Sequence, residues 1–330
     1  MQRISDSIRR QLGLAGDRPY FEGFDPEDFP VPAFVVDRAA LQYNLDILAS
    51  VAHQGGGHVL AALKAFSLPA LLGQISASLD GATASGLYEA RLAREQGFSS
   101  VHVFGPAYTD NELAGLLDTA DHIIFNSPAQ WRRVRSVCLR ARDSQGGSRQ
   151  RAGRPDLSFG IRINPEHSEG HVLLYDPCAP KSRMGTTRAV WDATALEAAR
   201  AGEADFLDGI SGIHFHNLCE QGAEPLERTL MAIEEHWDDI LSRPEISWLN
   251  MGGGHHVTKP DYNRALLVSL MQRARTRWNV EVMIEPGEAV AIHSRILSSR
   301  ILDIHENGCP IAILDVSATC HMPDTIEMPY

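Results

Sequence analysis

Eight times over, a short apolar run bounded by Gly, Pro, Asn or Ser is followed by a stretch of helical period, and no other feature of this chain restricts its fold so much. The runs are His58 to Lys64, Gly81 to Ser85, Val101 to Gly105, His122 to Asn126, Phe159 to Asn164, Gly209 to His216, Trp248 to Gly252 and Val282 to Glu285. Helix-like segments separate them, among them Gly86 to Gln96, Pro128 to Arg142 and Pro225 to Leu241. Strands alternating with helices make a parallel sheet with crossover connections. Eight such units in a row predict an α/β chain built on a (β/α)8 barrel rather than an open doubly wound sheet.

Two stretches break the rhythm. Residues Asp143 to Pro155 are polar and rich in Gly and Arg, which reads as an exposed surface loop. Residues Pro165 to Gly185 follow the fifth run on the side where barrel sites are built, and a loop of that length is as readily substrate-facing as not. A short strand from Pro30 to Asp37 falls outside the barrel, and after the eighth run Ile296 to Ile304 and Pro310 to Val316 are β-prone. The expected organisation is an N-terminal segment, residues 1–36, contributing to a β-domain, a barrel over 37–290, and the start of a C-terminal β-domain over 291–330 that reads as incomplete.

Bulk properties exclude several classes. With 44% hydrophobic and 22% charged residues the composition is that of a chain that folds in water, not of a disordered or fibrous one. Nothing approaches the roughly 18–20 apolar residues of a membrane span, and the N-terminus lacks the apolar core of a signal peptide. The cysteines (Cys138, Cys178, Cys219, Cys309, Cys320) are odd in number and include no CxxC pair, so a reducing cytoplasm is the expected home. A formal net charge of −12 argues against nucleic acid as a partner. It suits a cationic substrate, and equally suits ordinary solubility.

Barrel enzymes carry their reactive groups at the C-terminal ends of the strands. Here those ends hold Lys64, Ser85, Asn126, Arg162, His214 and His216, Gly252 to Gly254, and Glu285. A lysine closing an apolar run is costly to bury as a free cation, and lysine is the residue that forms Schiff bases with pyridoxal 5'-phosphate (PLP); a side chain escaping to solvent fits the local sequence as well. Three consecutive glycines let the backbone approach a ligand closely and offer N–H groups to phosphate, or simply make a tight turn. Glu285 at a strand end needs a partner, either the pyridinium nitrogen of PLP or an arginine. His214 and His216, two apart, face the same way on a strand; such a pair can be a metal site, but no further ligands stand in a recognisable pattern, and no metal is expected. His255, His256 and His321 read as surface or supporting histidines.

Lys64 in ALKAFS, His216 in GIHFHNLCE, the glycines of LNMGGGHH and Glu285 in IEPGEA, in that order, resemble the fold-type III PLP-dependent enzymes, the group of alanine racemase and of ornithine and diaminopimelate decarboxylases. Within that group GIRINPEHSEG, LYDPCAP, EPGEAVA and LDVSATCHMPD are similar to strings of the carboxynorspermidine (carboxyspermidine) decarboxylases. The resemblance spans roughly Pro32 to Tyr330 and implies PLP-dependent decarboxylation of carboxynorspermidine or carboxyspermidine in polyamine synthesis, by a homodimer acting on a small cationic substrate. It implies Lys64 as the Schiff-base lysine, His216 stacked on the ring, Gly252, Gly253 and Gly254 on the phosphate, Glu285 on the pyridine nitrogen and Arg162 near the phenolate side. Cys219, Glu288 and Asp315 are implied on the substrate side. Diaminopimelate and ornithine decarboxylases are expected to show Gly-Ser where this chain has Leu218-Cys219, and Arg where it has Glu288. A diaminopimelate-type decarboxylase, a racemase of the same fold and a non-catalytic PLP-binding protein remain the alternatives.

Overall fold

The computed structural model of the chain describes residues 21, 24–170 and 176–327. By internal contacts it divides into two units, one holding the described residues up to Tyr43 together with those from Ala291 onward, the other Asn44–Val290.

The larger unit is the barrel. Its strands are β2 (His58–Ala62), β3 (Gly81–Ala84), β4 (Val101–Phe104), β5 (His122–Phe125), β6 (Ser158–Arg162), β7 (Gly212–His214), β8 (Trp248–Asn250) and β9 (Glu281–Ile284), each parallel to the next, with β9 closing onto β2. All eight apolar runs become strands in the expected order. Seven are shorter than their apolar runs, because the alternation of side chains continues past the last ladder hydrogen bond; β9 matches its run in length and starts one residue earlier. The run from Gly209 to His216 yields only three strand residues.

Register explains how the interior is filled. Gly160 of β6 stands abreast of Gly212 of β7, and Gly212 abreast of Trp248 of β8. A methyl on Gly212 would lie 1.9 Å from the Trp248 indole, and one on Gly160 2.3 Å from it. Two glycines therefore make room for one large ring, whose Nε1 donates to Ser158 Oγ at 2.8 Å. Leu60, Ile124 and Met283 join Trp248 in a buried apolar cluster. Two residues further along each strand, on the same face, Arg162, His214 and Asn250 form the next level. The polar site is thus built on an apolar floor.

Residues 143–155 are corrected: the helix starting at Pro128 runs on to Arg151. Composition missed the anchor. Arg149, 3% exposed, donates to Asp121 Oδ1 at 2.5 Å and to Ala120 and Pro155 carbonyls at 2.9 Å. Arg154 and Arg94 donate to the same Asp121 carboxylate, itself fully buried. These bonds tie the last turns of the helix to the barrel despite the poor helix propensity of Gly146-Gly147-Ser148.

In the smaller unit β1 (Ala33–Val36) pairs antiparallel with β10 (Arg295–Ser298), and β11 (Ile301–Glu306) with β12 (Pro310–Leu314). Phe21, Ala40, Phe24, Val35 and Ile296 form its apolar cluster. The β11–β12 hairpin exposes Ile301, Leu302, Ile304, Ile311, Ile313 and Leu314. Among the described residues, no helix is long and apolar enough to cross a membrane.

Candidate active site

At the C-terminal mouth of the barrel lies a cavity of about 680 Å³, and Lys64, Arg162, His216 and Cys219 all face it. Lys64 sits in a turn two residues beyond the end of β2 with its side chain exposed, the second of the two readings its local sequence allowed. The escape of its amine is into this cavity.

Glu285 follows β9 and is 7% exposed. Burial alone would raise its pKa, but His214, His216 and the Asn250 amide hold the carboxyl down at about 2. Asn250 is the hinge of this arrangement: its Nδ2 donates to Glu285 Oε1 at 2.7 Å while its Oδ1 accepts from the Gly252 N–H at 2.9 Å. Glu285 Oε2 stands 3.7 Å from His214 Nε2, beyond hydrogen-bond length, and neither ring nitrogen of buried His214 has a hydrogen-bond partner among the described residues. The salt bridge to an arginine that the sequence left open is not made; Arg162 acts on Glu285 only through its field.

Arg162, 5% exposed, lies over the Phe104 ring at 4.5 Å and donates to the His216 carbonyl at 2.7 Å. Burial pushes its pKa down to about 10, which leaves it charged. His216, half-buried and just past β7, accepts from the Gly253 N–H through Nδ1 at 3.2 Å. Desolvation, reinforced by the charges of Lys64 and Arg162, drives its pKa well below the ordinary 6.5. Its ring is neutral.

The glycines answer first to the protein itself. A Cβ on Gly252, Gly253 or Gly254 would lie 2.4, 2.2 or 2.1 Å from the carbonyl oxygens of Phe215, Glu285 and Leu218, and Gly252 and Gly254 have φ of +71° and +84°. The strand ends approach too closely for any side chain. Two of the three N–H groups are used by Asn250 and His216; that of Gly254 has no acceptor among the described residues.

Of the residues expected on the substrate side, Glu288 has Oε2 2.7 Å from His256 Nε2. His255 and His256 are 1% and 7% exposed, so of the two expectations, surface or supporting, the first does not hold for either. Asp315 belongs to the smaller unit, where its carboxylate accepts from the Arg300 N–H at 2.8 Å. Sequence reasoning passed over Asn250, whose signal was its place two residues beyond Trp248, and Asp176, Lys181 and Arg183, which line the cavity from the loop after β6. The fold also brings His214, His216 and Glu285 within 4.8 Å of one another, giving the histidine pair a third donor that spacing did not show. The charges of Lys64 and Arg162 act on both rings, and that positive charge opposes a dication there.

No protein-family model matches the chain. It is 35% identical over 304 residues to a carboxynorspermidine/carboxyspermidine decarboxylase from Campylobacter jejuni, covering 92% of this chain and 72% of that protein. It is 37% identical over 303 residues to a carboxyaminopropylagmatine decarboxylase from Synechocystis, covering 91% and 71%. Among solved structures it is similar to carboxynorspermidine decarboxylase from Campylobacter jejuni complexed with norspermidine, with a TM-score of 0.75, 34% identity and coverage of 92% and 72%. An SrLDC mutant in complex with PLP shares the fold at a TM-score of 0.67 and 16% identity, over 98% of this chain and 76% of its own.

Proposed function

The chain belongs to the carboxynorspermidine/carboxyspermidine decarboxylases, carboxy-lyases of polyamine biosynthesis, and we propose that it uses PLP held at Lys64 to remove the α-carboxylate of carboxynorspermidine or carboxyspermidine. The observation that carries the reading is the pairing of an exposed lysine amine with a carboxylate held ionised at the same barrel mouth, Lys64 and Glu285.

The residues present fit the cofactor. Lys64 offers the primary amine that holds it. Glu285 has one oxygen occupied by Asn250 and a second with no hydrogen bond among the described residues, the state of a buried carboxylate that suits a cationic ring N–H. The unpaired Gly254 N–H and a cavity wall carrying Lys64, Arg162, Lys181 and Arg183 suit an anionic phosphate. When bound, PLP supplies the electron sink that takes the electron pair left by departing CO₂.

The chain's own groups act around that sink. Glu285, kept as a carboxylate, holds a proton on the ring nitrogen. His216, kept neutral, packs against the ring face without adding positive charge. Arg162 is fixed by Phe104 and the His216 carbonyl, so it presents a set direction of charge to the phenolate side. Cys219 and Glu288 belong to the substrate side of this reading, with Asp315 on the distal amine. A homodimer and a reducing cytoplasm are part of the same proposal, the second supported by five free cysteines. A second substrate, carboxyaminopropylagmatine, is favoured by the Synechocystis relative.

Purified protein mixed with PLP is expected to gain a visible absorption band that borohydride bleaches, and to release CO₂ from carboxynorspermidine; Lys64→Ala loses both. A colourless protein indifferent to PLP and borohydride sinks the cofactor, and CO₂ release only from carboxyaminopropylagmatine moves the substrate.

A further inference from the structure

The mouth of the barrel is electrically divided. On the cavity wall the cations Lys64, Arg162, Lys181 and Arg183 outnumber the one carboxylate, Asp176, whereas Glu220, His256 and Glu288 bring their ligand atoms within 4.8 Å of one another. Cys219 lies where the two meet: its thiol is on the cavity wall, within the field of Lys64 and also of Glu220 and Glu288. A ligand with an anionic end and a chain of ammonium groups matches that division.

Glu288 by itself is a poor recognition group. Its side chain is 47% exposed, and a glutamate must lose several rotamers to meet a ligand in one geometry. His256 has already been fixed. Its N–H donates to Gln221 O at 3.2 Å, Gln221 N–H donates to Gly254 O at 2.8 Å, and the ring is nearly buried. The imidazole then meets Glu288 Oε2 at 2.7 Å. The backbone that orients His256 is the continuation of the glycine turn, so the turn that shapes the cofactor side also sets the position of a carboxylate on the substrate side.

We infer that His256 is a positioning residue that pre-orients Glu288 for the ammonium chain of the substrate, short of the terminal amine given to Asp315. This rests on Glu288 being a substrate-side residue, as proposed above. Removing the imidazole leaves the chemistry intact and weakens only the binding that depends on the ammonium chain.

The test compares His256→Leu, His256→Gln, Glu288→Gln and the double variant His256→Leu/Glu288→Gln in the PLP-loaded enzyme. Each is assayed on carboxynorspermidine and on 2-aminobutyrate, which lacks the distal amines, with melting temperatures recorded in parallel. His256→Leu is expected to raise KM for carboxynorspermidine about tenfold, the size of a lost charge-assisted hydrogen bond, with kcat within twofold and 2-aminobutyrate turnover unchanged. His256→Gln, which keeps a donor at that reach, restores KM, and the double variant is no worse than Glu288→Gln. If Glu288→Gln raises KM while His256→Leu does not, the inference falls and the Glu288 assignment stands. If Glu288→Gln leaves KM untouched, that assignment itself falls. A His256→Leu protein that melts early and loses kcat on both substrates, without rescue by Gln, makes the histidine merely structural and overturns the inference.

Discussion

Asn250 and Glu285 are 35 residues apart on neighbouring strands and are joined by a 2.7 Å hydrogen bond in which the amide donates to the carboxylate. The other end of the same amide holds the first glycine of the turn. Asn250→Ala is expected to leave the buried carboxylate unpaired, costing about 1–3 kcal/mol of stability, and to weaken PLP binding through both the ring-nitrogen and the phosphate side. Thermal melts with and without PLP, together with a PLP titration, measure the two effects separately.

Glu285→Gln keeps the hydrogen-bonding volume but removes the charge. The expected outcome is a folded protein that still turns yellow with PLP and whose CO₂ release falls on the order of 100-fold or more, the scale of a lost electrostatic stabiliser. Retention of full turnover in this variant is the result that counts against the electron-sink role.

Acid stability follows from histidines buried as neutral rings. His102 and His122 stack at 4.0 Å inside the barrel; burial pushes His122 down to about 4 and His102 well below the ordinary 6.5. The unfolded chain takes up these protons first as pH falls through 6.5, so stability present above that value is lost progressively toward pH 4. Glu285, depressed to about 2 from an ordinary 4.5, adds a loss of the same sign between those values. Urea midpoints measured from pH 8 to 4 should fall steadily below 6.5, and His122→Phe should flatten part of the decline.

The arginines around Asp121 hold the long helix to the barrel. Asp121→Ala leaves Arg149 buried without its counter-charge and is expected to destabilise the fold by about 3–5 kcal/mol. Amide exchange localises the damage: protection should drop first over residues 143–151, ahead of the rest of the helix.

Gly212→Ala puts a methyl where the Trp248 indole lies and is expected to abolish soluble expression or lower the melting point by many degrees. Pairing it with Trp248→Leu gives the methyl space and should recover a large part of the loss, a coupling that two independent sites do not show.

Much of this was legible from the chain because the barrel repeats one physical rule eight times. Short apolar runs followed by helical period specify order and direction without any long-range information, and so Lys64, Arg162, His216 and Glu285 fell at strand ends as expected. What escaped was whatever depends on partners far away in sequence. The helix through Gly146-Gly147 is dictated by Asp121, which local composition cannot see. The local sequence leaves Lys64 undecided between burial and exposure because its apolar run outlasts the ladder, which stops at Ala62. His255 and His256 look like surface residues in a polar turn until the Gln221 bridge folds that turn inward.

The Trp248 floor has one more effect. With its indole wedged against Gly160 and Gly212 and closed in by Leu60, Ile124 and Met283, the barrel axis is filled one layer below Arg162, His214 and Asn250, so the polar groups at the strand ends rest on a rigid plug that leaves them little room to sink when they take up a ligand.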